Sequence, residues 1–162
     1  MSYDVIVYIF LLLGVSSALV AGVFQSFSDF VMSGLVRARP ASGIDAMQQI
    51  NRTVFRSIFL FTFLALAPVS IGAAVYAALA MDGAAQRFVI GAALVYVITS
   101  FLVTVAGNVP MNQRLDQLDA DSAEAAAYWR TYGIVWTRWN HVRTIGSLAA
   151  AVCYFLAAIA LA

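Results

Sequence analysis

Four stretches of this chain, residues 5–24, 57–79, 88–106 and 144–162, contain no charged side chain. Each is long enough to cross a bilayer, because about 20 residues at roughly 1.5 Å rise span a hydrocarbon layer of about 30 Å. Lipid offers backbone amides no hydrogen-bonding partner, so each stretch must satisfy its own amides by becoming a helix. The pattern predicts an all-α integral membrane four-helix bundle. With 162 residues, four spans leave room for a single four-helix transmembrane domain over 1–162 and for no second domain.

Composition agrees. Charged residues make up 10% of the chain, against about 25% in an ordinary soluble domain. The net charge is only +1 and no basic stripe is evident, which argues against a nucleic-acid partner. Cys153, the only cysteine, falls inside the fourth stretch. A lone thiol offers neither a disulfide nor a Cys-rich metal site, and reads as a small packing residue. The first stretch exceeds the roughly 7–15 apolar residues of a secretory signal and lacks a basic flank, so it reads as a retained span.

All nine basic residues are arginines. Arg37, Arg39, Arg52 and Arg56 flank the first connection, and Arg114, Arg130, Arg138 and Arg143 the third; Arg87 alone lies on the opposite side. Positive charge is retained in the cytoplasm. The expected topology is therefore multi-pass in the cell (inner) membrane, with both long connections cytoplasmic and both termini outside.

Local signals refine the picture. Gly14, Ala18, Gly22 and Ser26 form a small-residue stripe suited to close helix packing. Gly34 and residues 37–40 should break the first helix. The second should start before its apolar part, with cap candidates at Ser42 and Asp45 and no breaker over 46–56. Pro68 should kink it, and Asp82-Gly83 should turn the chain into the third. Gly107 and Pro110 should disturb the third helix at the membrane boundary, leaving 113–120 as connection. Asp121-Ser122-Ala123-Glu124 opens an interfacial helical segment before the fourth span. Trp129, Trp136 and Trp139 have the density of interface anchors.

The topology brings polar residues from all four helices to one membrane face: Gln25 and Asp29; Gln48, Asn51, Arg52 and Arg56; Asn108 and Asn112; Arg138, Asn140, His141 and Arg143. Polar groups at apolar depth are costly unless they pair or line a cavity, so a ligand pocket at that face is expected. Taken singly, such residues also serve as helix caps, bind lipid headgroups or snorkel to water. One histidine and one distant cysteine give no metal-ligand spacing, and neither a phosphate-binding glycine loop nor a dinucleotide fingerprint is present.

Four segments, Phe24-Gln25-Ser26-Phe27-Ser28, Ala46-Met47-Gln48-Gln49-Ile50-Asn51, Gly107-Asn108-Val109-Pro110-Met111-Asn112 and Trp139-Asn140-His141-Val142-Arg143-Thr144, resemble motifs of the anthrone oxygenase-like membrane family. The resemblance implies a cofactor-independent monooxygenase, an oxidoreductase that uses no metal, flavin or nicotinamide. Its partners would be membrane lipid, an aromatic small-molecule substrate and O2. On that basis the catalytic candidates are His141 as base, Asp29 as its partner or substitute, and Arg138 and Arg143 as anion stabilisers. Gln25, Gln48, Asn51, Arg52, Asn108, Asn112, Trp136, Trp139 and Asn140 would bind substrate. A non-catalytic lipid-, quinone- or small-molecule-binding module, or an accessory subunit, would draw on the same residues without turnover.

Overall fold

A computed structural model describes residues 3–162, with the side chain of Tyr3 outside the description. Four helices are long and apolar enough to cross a membrane: α1 (Asp4–Arg37), α3 (Ile58–Ala80), α4 (Gly83–Asp116) and α5 (Ala123–Ile159). A shorter helix, α2 (Pro40–Thr53), joins α1 to α3. No strand occurs among the described residues. The chain is a multi-pass helical membrane protein. Its lipid-facing surface carries Leu12, Ile58, Phe61 and Leu79, all exposed.

The helices are unequal, and the inequality builds the site. At about 1.5 Å per residue, α3 is roughly a bilayer long, whereas α1, α4 and α5 have 34, 34 and 37 residues and overshoot it. Their excess turns project from one face, where α2 packs among them. Two apolar cores result. One fills the spanning part around Phe10, Val20, Phe63, Val89, Tyr96 and Tyr154. The other fills the projecting cap around Met32, Ile44, Met47, Leu115, Trp129 and Tyr132.

Several local expectations need correction. Residues 46–56 do not continue into the second span: α2 ends in a tight turn, Val54–Arg56, and Ser57 is extended (φ −94°, ψ 146°). Ser57 starts α3 itself, its hydroxyl accepting from the Leu60 amide at 3.1 Å and donating to the Val54 carbonyl at 2.7 Å. At its other end α2 begins with Pro40 in its first turn and no side-chain cap, where a missing N–H is harmless. Ser42 and Asp45 are not its caps. Nor does the third helix end near Pro110. Two wider, π-helical stretches, Tyr96–Leu102 and Thr104–Asn108, precede Val109–Asp116. They reset the backbone pairing so that Pro110 sits at the start of a fresh α-helical turn, and the helix runs on to Asp116.

Other expectations match. Gly83 takes the turn between α3 and α4 with φ +69°, a conformation open to glycine at no steric cost. The Ser122 hydroxyl accepts from the Ala125 amide at 3.1 Å and Glu124 lies in the first turn of α5. The interfacial segment is continuous with the fourth span, one helix of 37 residues. The small-residue stripe is only half used: Gly14 admits the ring of Phe155, but Gly22 is exposed.

Candidate functional site

A cavity of about 240 Å³ lies where the two cores meet. This is just under the roughly 300–1,000 Å³ common for small-molecule sites. Its walls are aromatic: Phe24 and Phe27 from α1, Phe55, Phe59 and Phe63 from the α2–α3 region, and Trp136 from α5. Phe24 meets Phe59 and Phe63 edge-on, at centroid distances of 5.6 and 5.8 Å. Exposed lining residues Phe55, Arg52 and Asp116 mark the mouth. A phenyl ring beside an ion pair is what a membrane–water boundary accommodates.

The polar lining is an ordered set of amides around one guanidinium. Asn140 is fully buried. Its amide nitrogen donates to the Phe24 carbonyl and the Ser28 hydroxyl, both at 2.6 Å, where α1 widens into the π turn Phe27–Val31. Its oxygen accepts from Arg143 Nη2 at 2.5 Å. A guanidinium only donates and a carbonyl only accepts, so this amide has one orientation. Asn112 is fixed the same way: its Oδ1 accepts from Tyr132 Oη at 2.7 Å and Trp136 Nε1 at 2.8 Å. Because an indole only donates, the carbonyl oxygen of Asn112 must face it, which leaves the NH2 group for other partners.

Arg143 is the unusual member. It is 6% exposed and stacks on Phe24 at 4.2 Å and on Trp136 at 5.3 Å. Its Nη1 donates to the Thr104 hydroxyl at 3.3 Å. Its Nε is buried with no hydrogen-bond partner, as is Nδ2 of Asn51. The single ion pair among the described residues joins Arg52 Nε to Asp116 Oδ1 at 2.8 Å, so no carboxylate neutralises Arg143. An uncompensated buried cation is costly. The cavity is therefore rich in donors and positive, and complements an anionic or oxygen-rich aromatic ligand.

Of the residues singled out from sequence, Asn51, Arg52, Asn112, Trp136, Asn140 and Arg143 line the cavity. The others do not. His141 is exposed, because one helical residue turns the side chain by about 100° from buried Asn140. Asp29, Arg138 and Gln25 are likewise exposed and off the lining. Trp139 lies on the outer side of α5 over Gly107, where a Cβ would come within 3.0 Å of its indole. Gln48 is buried, but its amide donates to the carbonyls of Leu115 and Leu118 at 2.8 Å each, closing the open C-terminal end of α4. Asn108 bonds the Trp136 carbonyl at 3.2 Å and ties α4 to α5. Trp129 and Trp136 are packed in the cap rather than anchored at the interface. Sequence reasoning missed Asp116, Thr104, Phe59 and Phe63. For Asp116 and Thr104 the only available signal was spacing on α4, whose phase the π stretches alter. Phe59 and Phe63, four apart on the regular helix α3, gave no signal that separates a cavity wall from ordinary apolar packing.

A helical membrane protein with an aromatic, donor-lined cavity at one face is thus defined. The family model described as anthrone oxygenase matches residues 51–153, and the chain belongs to that family. The matched region begins at Asn51 and includes the cavity residues of α4 and α5, while Phe24, Phe27 and Met47 lie outside it. No curated protein and no solved structure matches the chain.

Proposed function

We propose that this protein oxygenates an anthrone-like polycyclic phenol in the cavity, using O2 without a metal or organic cofactor. The carrying observation is Arg143, a buried guanidinium with no carboxylate partner, set between the aromatic faces of Phe24 and Trp136. Removing a proton from the carbon between two aromatic rings gives a carbanion whose charge spreads onto the ring oxygen. A preorganised cation stabilises that developing oxyanion in a water-poor site, and such donors are worth most there. Asn51 and Asn112 offer donors to further ring oxygens, and the phenylalanines hold the ring plane. The lining supplies one carboxylate and no imidazole or thiolate, a donor set ill-suited to a transition metal.

The proposed setting is the cell (inner) membrane with termini outside. Even with Arg143 set aside as a cavity residue, the remaining arginines strongly favour the face that bears the cavity. The test is O2 uptake by purified, lipid-reconstituted protein given dithranol, corrected for its spontaneous oxidation. Uptake above background supports an oxygenase. Saturable binding with no added uptake supports a binding module instead.

A further inference from the structure

We infer that Asp116 takes the proton from the reacting carbon, and that Arg52 positions it. The inference rests on the oxygenase reading above. Among the side chains lining the cavity, Asp116 is the only carboxylate, and the rest are apolar, amide, hydroxyl, indole or guanidinium groups. The other acceptors at this membrane face, His141, Asp29, Asp45, Asp119, Asp121 and Glu124, lie off the lining. Asp116 closes α4 and reaches the cavity mouth because the helix runs past Pro110. Arg52, from the last turn of α2, grips its Oδ1 at 2.8 Å, and no hydrogen bond from the described residues occupies Oδ2. One oxygen is held and the other is free. The Asp116 side chain is 43% exposed, so the carboxylate also exchanges protons with water.

The step balances without a further reagent. The C–H bond breaks, its proton passes to Asp116, and its electron pair delocalises to the ring oxygen beside Arg143. The carbanion reduces O2 by one electron, and radical recombination forms the C–O bond of a peroxide anion. That anion recovers the proton from Asp116. Loss of water from the hydroperoxide, with the second hydrogen on the same carbon, leaves a carbonyl there: one O2 consumed, one oxygen retained, one water released.

Two readouts separate this role from the reading it rests on. The first is anaerobic exchange of the reacting hydrogens of dithranol into D2O, corrected for the uncatalysed rate; the second is aerobic turnover. Wild-type protein accelerates both. Asp116→Asn should lose about 10²–10⁴-fold in each, the usual contribution of a general base, while dithranol still quenches tryptophan fluorescence at wild-type concentrations. Asp116→Glu should recover part of the rate. Arg52→Gln should lower kcat with KM little changed, and Arg52→Lys should restore part of it. Asp116→Asn with wild-type exchange and turnover overturns the assignment and leaves the oxygenase reading standing. Wild-type protein that binds dithranol but accelerates neither process overturns both.

Discussion

Replacing Arg143 with methionine separates a structural role from a catalytic one. The substitution removes hydrogen bonds to Asn140 and Thr104 and two ring stackings. A hydrogen bond to a charged group contributes about 1.5–3 kcal/mol, and a desolvated cation–π contact about 2 kcal/mol. Against this, burying an ion costs several kcal/mol, and here no counter-charge offsets it. The opposing terms are of similar size, so stability should change by no more than about 2 kcal/mol, or roughly 4–8 °C in Tm for a chain of this length. Breaking an ordinary buried ion pair costs about 3–5 kcal/mol. Turnover should fall much further, by about 10²–10³-fold, as when an oxyanion donor is lost. Thermal unfolding followed by circular dichroism and dithranol-dependent O2 uptake on the same preparation measure the two effects. A variant that unfolds far earlier yet keeps its turnover per folded molecule would refute the reasoning.

Three further outcomes follow from the geometry. Asn112→Leu orphans the Tyr132 hydroxyl and the Trp136 indole N–H, each costing roughly 1–3 kcal/mol, and thermal unfolding should show the loss together with altered tryptophan emission. His141→Ala, an exposed change away from the cavity, should move stability by less than about 0.5 kcal/mol and leave turnover at the wild-type level; a large loss of activity would restore the imidazole as base. Cysteines introduced singly near the N- and C-termini, in a Cys153→Ala background, should react with an impermeant maleimide from outside intact cells, and labelling only after lysis would reverse the topology.

The spans were legible because charge exclusion over bilayer length leaves few alternatives. The polar convergence was legible too, since topology alone brings Asn51, Asn112, Asn140 and Arg143 to one level. Rotation about each helix was harder to read. Asn140 and His141 are neighbours in sequence with opposite fates, and only the packing of α5 against α1 decides which faces inward. Asp116 was hidden by Pro110, which ends an ordinary helix but not one preceded by π turns. Gln48 and Asn108 show a third limit: an amide at the right depth serves equally to bind a ligand or to satisfy a backbone carbonyl, and the choice depends on tertiary neighbours.

Isotopic oxygen transfer tests the central claim most directly. Chelator-treated protein in lipid discs, given dithranol under ¹⁸O2, should form the corresponding quinone faster than the protein-free control. The new carbonyl should carry one ¹⁸O from O2, and Arg143→Met should return the rate to near background. Product formation no faster than the control, or a rate that appears only on adding a metal or flavin, would contradict the account.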